Sequence, residues 1–388
     1  MRSVRRLAFV LVALVGAAAA VVVLNRLGTE SEGPLARLLD EIGGGVTLAE
    51  HAVRERLTGA SPRVRALNWF EPYRTDPSRL QHPDRVLLGT YAGDVSSTFD
   101  GVLSLERAIG TTLPLIQIYV AWGDRPQEQF PDGVATAIWD AGSVPVITWE
   151  PWLTDFENTT HAGLPLRTAR DRHGLAAVAR GDYDFYVDRW AADAARFGRP
   201  VFLRFGHEMN DPYRYPWGPQ NNTKEEYIAA WRHVHGRFLQ AGARNVIWVW
   251  SPHVAYRWWE TYYPGADVVD WVATGVLNFG DVGQQWSQWW SFDQIFGRQY
   301  PLLASLGKPV MIAEFGSLAV GGDRAAWYRA ALTNLPSRYP AVRGLLFFEV
   351  SNDQTVTYQK VDWSLASDPD VARAVAAALR GWRQGALR

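Results

Sequence analysis

The stretch Pro200-Val201-Phe202-Leu203-Arg204-Phe205-Gly206-His207-Glu208-Met209-Asn210 reads as a strand that runs into a turn and delivers a carboxylate. Met311-Ile312-Ala313-Glu314-Phe315-Gly316 repeats the pattern 106 residues later. Apolar runs of this length, bounded by turn residues, suit strands buried on both faces. Working outward, similar runs occupy 86–91, 115–121, 144–149, 246–250, 268–276 and 344–348, which with 200–205 and 310–313 makes eight. Helical periodicity fills 183–197, 224–241 and 324–335, with Gly198, Gly242 and Pro336 as stop signals. Eight β/α units in one chain, with no Gly-rich phosphate fingerprint after the first strand, predict a (β/α)8 barrel rather than a doubly wound dinucleotide fold.

Composition narrows the field. The chain has 388 residues, 47% of them hydrophobic, and 39 Lys+Arg balance 40 Asp+Glu. No basic stripe marks a nucleic-acid partner. The absence of cysteine excludes disulfides, thiolate metal sites and a thiol nucleophile. The 19 Trp exceed what a core requires, and several lie in polar, Pro-containing segments. Indole faces there can stack on sugar rings or pack under loops.

The first 60 residues read as a separate unit. Arg2, Arg5 and Arg6 precede an uncharged run over 7–24. As a helix it reaches about 27 Å, close to the hydrocarbon thickness. Residues 1–24 are expected to be a signal-anchor, or else a signal peptide cut near Ala19 or Ala20, with the Arg cluster inside. That placement makes the protein extracytoplasmic and anchored to the cell membrane, or secreted. Residues 25–60 form a stalk with helical stretches at 35–42 and 48–57, and 61–388 form the catalytic domain.

In a barrel, strand carboxyl ends converge on one face, so Glu208 after the fourth strand and Glu314 after the seventh should meet across the mouth. Two carboxylates there can break a glycosidic bond, one as acid and the other as nucleophile if they stand ~5–5.5 Å apart or as base to a water at ~6.5–9.5 Å, a gap that sequence does not measure. Structural ion-pair partners are the plain reading of buried glutamates. Arg204, a charge inside a barrel strand, must pair with Glu208 or Glu314.

The segment 202–210, followed by Tyr215-Pro216-Trp217-Gly218, with Ile312-Ala313-Glu314-Phe315-Gly316 downstream, resembles glycoside hydrolase family 26. That family contains β-mannanases and β-1,3-1,4-glucanases. The resemblance continues through Tyr262-Tyr263-Pro264-Gly265 and Val269-Asp270-Trp271-Val272. It implies a retaining barrel enzyme with Glu208 as acid/base, Glu314 as nucleophile and His207 contacting the sugar.

Two departures stand out. Where the family carries a tyrosine bonded to the nucleophile, this chain reads Gly275-Val276-Leu277-Asn278, so either Asn278 or another group replaces it or the nucleophile's pKa and the reaction rate differ from those of typical members. Glu349, on the eighth strand, adds a third carboxylate that binds a hydroxyl or pairs with an arginine.

Strand-end positions supply further binding candidates: Trp149 and Glu150, Asn210, Trp217, Trp250 and His253, with Tyr91, Asp94 and Trp122 as weaker ones. No cofactor is expected. His207, His253 and the carboxylates lack a recognised metal-ligand spacing, so no metal is expected either. The expectation is a retaining endo-β-glycanase with β-1,4-mannan as first substrate. Mixed-linkage β-glucan or trimming of a self-made exopolysaccharide comes next, and a non-catalytic glycan-binding protein of a polysaccharide assembly system stands as the contrasting reading.

Overall fold

The computed structural model describes residues 62–385 except 94, 96, 283–287 and 355–359. The expected membrane segment, the stalk and Asp94 lie outside the described residues. Eight parallel strands close a barrel in chain order: β1 (Leu87–Ala92), β2 (Leu115–Ala121), β3 (Val144–Glu150), β4 (Val201–Phe205), β5 (Val246–Trp250), β6 (Trp271–Asn278), β7 (Val310–Ser317) and β8 (Val342–Glu349). β8 pairs back onto β1 from Leu87↔Gly344 to Ala92↔Glu349. The expected (β/α)8 architecture is therefore present.

Helices alternate with the strands where periodicity placed them, at Asp184–Phe197, Lys224–Gln240 and Arg324–Leu332. The first stops at Gly198, which takes a left-handed φ of 65° that few other residues adopt without strain. The second begins with a reciprocal capping box between Thr223 and Glu226. β6 starts three residues later than its apolar run suggests. Asp270 there accepts from the Trp248 amide at 2.8 Å and from Gln81, so Val268 and Val269 belong to the turn.

Alternation along each strand sorts the side chains. Leu115, Val146, Phe202, Ile247, Val249 and Met311 fill the barrel interior, and residues 62–81 plug its lower end through Leu67, Phe70, Tyr73 and Leu80. The Trp271 indole donates to the Leu80 carbonyl at 2.9 Å, tying plug to barrel. Odd-numbered Trp149 and even-numbered Trp250 fall on the outer face of their strands. Trp149 packs on Trp190, Tyr186 and Phe238, and Trp250 on Trp259 and Tyr263. Both are 0% exposed, as is Trp122. The expectation that these indoles line a binding cleft is corrected: each fills the layer between sheet and helices.

One irregularity matters for the upper face. On β7 the pairing with β6 runs Ile312↔Thr274 and then Glu314↔Gly275, skipping Ala313. This bulge adds a residue to one strand and resets its phase. Ala313 sits in the interior cluster and Phe315 in the outer one, so Glu314 is free to rise into the mouth.

Candidate active site

Glu208 reaches the mouth through a turn with unusual backbone. Gly206 and Glu208 both have left-handed φ, 52° and 51°. For glutamate this conformation costs on the order of 1–3 kcal/mol and persists only where surroundings enforce it. The Glu208 amide donates to the Ser251 carbonyl at 2.7 Å, and the Gly206 amide to Trp149 at 3.0 Å. Neighbouring strands β5 and β3 thus hold the turn from both sides.

Each carboxylate has one oxygen held and the other turned toward a shared space. Glu314 Oε1 accepts from the Tyr119 hydroxyl at 2.8 Å and from Arg204 Nη2 at 2.5 Å. Glu208 Oε2 accepts from Arg214 Nη1 at 3.2 Å. The free oxygens flank Gly275, where a methyl group would stand 3.7 Å from Glu208 Oε1 and 3.8 Å from Glu314 Oε2. Gly275 presents no side chain to either of these oxygens.

Charged and polar neighbours bear strongly on Glu314. Burial pushes the Glu314 carboxyl up, but the Arg204 charge and hydrogen bond, with the Tyr119 hydroxyl, outweigh it and leave it below the usual range. Burial drives Tyr119 well above its ordinary value, reinforced by the Glu314 charge, so it stays a donor. His207 is pushed well below the imidazole range by burial and then by Arg204 and Arg214, and is neutral. Its Nε2 lies 3.0 Å from the Tyr215 hydroxyl.

The remaining candidates divide. Glu150 and His253 reach the site: Glu150 Oε1 lies 4.0 Å from His207 Nε2, and His253 Nε2 lies 4.0 Å from Glu208 Oε1. Burial raises the Glu150 carboxyl despite the Trp152 indole bonded to it. Trp217 is corrected from binding candidate to brace, since its buried indole donates to the His207 carbonyl at 2.7 Å and stacks on Tyr215. Asn210 is also a brace, exchanging two hydrogen bonds with the His253 backbone at 2.8 Å. Asn278 bonds Ser317 and the amides of Gly280 and Trp290, not Glu314. It does not take the place of the family tyrosine. Leu277 packs near Phe348 and Trp363. Glu349 accepts from the Leu365 and Ala366 amides at 2.9 and 3.0 Å, so it pins a loop, and neither a hydroxyl-binding nor a direct arginine-pairing role matches that geometry.

Sequence reading missed Tyr119, Arg214 and Tyr215. Tyr119 shares the inward parity of Leu115 on β2, the signal that marks it. Arg214 follows an Asp211 turn in which Oδ1 accepts from the Tyr213 and Arg214 amides, a local motif visible only with the backbone. Among the described residues, Glu208, Asp211 and His253 bring one potential metal-ligand atom each within 4.8 Å. The Arg214 guanidinium on Glu208 opposes a cation there.

The sequence profile of glycosyl hydrolase family 26 matches residues 185–307. Endoglucanase H of Acetivibrio thermocellus is 31% identical over 295 residues, 74% of this chain and 29% of that protein. Mannan endo-1,4-beta-mannosidase A and B of Caldalkalibacillus mannanilyticus is 28% identical over 182 residues, 44% of this chain and 32% of that protein. The chain thus spans about a third or less of the length of these relatives. A solved GH26 beta-mannanase from Bacteroides ovatus superimposes with a TM-score of 0.56 at 17% identity, covering 82% of this chain and 93% of that one. The barrel with two mouth carboxylates is the architecture of a glycosidase-type protein. The chain belongs to glycosyl hydrolase family 26.

Proposed function

We propose that the protein is a retaining endo-β-glycanase. The arrangement around Gly275 carries this reading: two carboxylates, each with one oxygen anchored and one directed at the same open gap. Glu208 donates its proton to the glycosidic oxygen as that bond breaks, and Glu314 Oε2 bonds to the anomeric carbon. Water then gives a proton to Glu208 and displaces Glu314, restoring both groups. Tyr119 and Arg204 hold Glu314 ionised and oriented, with Tyr119 doing from β2 what the family tyrosine does after β6.

For substrate, we place mixed-linkage β-glucan first and β-1,4-mannan second, reversing the order drawn from the family resemblance. The endoglucanase match extends over 74% of this chain against 44% for the mannosidase. Attachment through residues 1–24 and an extracytoplasmic site of action remain part of the proposal.

The test uses the protein on β-glucans, β-mannans and aryl β-glycosides. The first-formed product should be the β anomer by NMR. Glu314→Ala should lower turnover by about four orders of magnitude or more, since it removes the covalent route. Azide should restore cleavage of an aryl glycoside by forming the α-glycosyl azide. Activity near wild type in that variant, or α product from the wild type, overturns the assignment.

A further inference from the structure

A cleft of about 1140 Å³ opens at the lower end of the barrel, opposite the mouth that holds Glu208 and Glu314. It lies where β1 and β8 begin, among the loops that precede β2 and β8 and the C-terminal helix Pro369–Gly385. Leu379 and Trp382 of that helix make its wall apolar, and Trp69, 40% exposed, lines it too. The Trp382 indole is fixed by donating to the Leu332 carbonyl at 2.7 Å. Two guanidiniums, Arg85 and Arg343, line the cleft against one carboxylate, Asp84. Asp84 already accepts from Tyr73 and Arg85, while half-buried Arg343 has no ion-pair partner among the described residues. An apolar cleft with an excess of positive charge suits an amphipathic segment that carries acid groups.

The chain ahead of residue 62 contains one. Leu35, Leu38, Leu39 and Ile42 recur at the i, i+3, i+4 and i+7 spacing of a single helical face, and Asp40 and Glu41 flank that stripe. A helix this short does not hold in water alone, so the stripe needs an apolar surface to pack on. The connection over 43–61 begins with Gly43-Gly44-Gly45, which lets the chain double back, and it reaches up to about 45 Å with 48–57 helical. The cleft is well within that reach. Ala66 on its wall lies one helical turn, about 6 Å, from Pro62. We infer that residues 35–42 fold back as a helix into this cleft, with the leucine stripe on Trp69, Leu379 and Trp382 and with Asp40 and Glu41 paired to Arg85 and Arg343. Only residues 25–34 then separate the docked helix from the uncharged run over 7–24. Where that run anchors the chain, the docking turns the lower end of the barrel toward the membrane and directs Glu208 and Glu314 away from it.

The chain has no cysteine, so two introduced thiols in the full-length protein report on one pair of positions. Ser337 is exposed and lines the cleft, whereas exposed Tyr213 lies in the loop of Glu208 at the opposite end. A short bismaleimide should link Ala36→Cys/Ser337→Cys within one chain about tenfold more than Ala36→Cys/Tyr213→Cys. Equal yields from the two pairs, or no link within the chain, overturn the docking. A link between two chains instead places a second copy in the cleft and overturns it as well. Trypsin provides a measurement without thiols. Cleavage after Arg37 should be about tenfold faster in Ile42→Asp and in Arg343→Glu than in wild type, with the far-UV circular dichroism of the barrel unchanged. Cleavage at the wild-type rate in both variants overturns the docking. None of these readouts uses turnover, so the docking stands or falls apart from the glycanase reading.

Discussion

Tyr119 carries the largest residue-scale consequence. Its hydroxyl and Arg204 share one oxygen of Glu314, and a donor to a carboxylate stabilises the ionised form. The nucleophile must be ionised, so the acid limb of the kcat/KM profile should lie below the ordinary glutamate range, where the depressed carboxyl of Glu314 places it. Tyr119→Phe removes a lowering interaction, and the acid limb should move to higher pH while the basic limb stays in place. Turnover should fall roughly 10- to 100-fold. The pH profile separates this from mere loss of packing, which would lower the amount of active protein without moving the limb. The same linkage applies to stability. A carboxyl depressed in the folded state contributes stability above its unfolded pKa, and this is lost as pH falls through the folded value.

At the scale of elements, strand parity and its interruption decide what enters the mouth. Inward parity brings Tyr119, Glu150 and Arg204 to the axis and sends Trp149 and Trp250 to the helices. The β7 bulge then places Glu314 opposite Gly275. Gly275→Ala tests this directly. A methyl there meets only ordinary contacts at 3.7–3.8 Å, so the thermal midpoint should hardly change. It would touch the free oxygen of each carboxylate, and kcat/KM should fall about 10- to 100-fold through misplacement of the reacting sugar. Wild-type turnover in a well-folded Gly275→Ala protein would show that the gap is not where bond cleavage occurs.

At the scale of the whole molecule, the barrel is closed below by residues 62–81 and open above at Glu208 and Glu314. A chain beginning near residue 60 should therefore fold and retain full activity. The uncharged run over 7–24 predicts that the full chain sediments with membranes and presents the barrel outside. Protease protection of the barrel in intact cells, or a mature N-terminus just after Ala19 or Ala20 in culture medium, would contradict the anchored arrangement.

Local chemistry was enough to predict the eight strands, three of the helices, and Glu208 and Glu314 as strand-end carboxylates, because apolar runs and stop residues are properties of neighbouring positions. Pairing of Arg204 with one of those glutamates also followed, since a buried charge must find its opposite. Trp149 and Trp250 had a legible outward parity, obscured by their position beside turn residues. The β7 bulge, the clamp between the loops after β4 and β5, and the hydrogen bond from Tyr119 on β2 to Glu314 were decided only by the tertiary structure. Each depends on which strands become neighbours and in what register. That information lies in the closure of the barrel and not in any single stretch of chain.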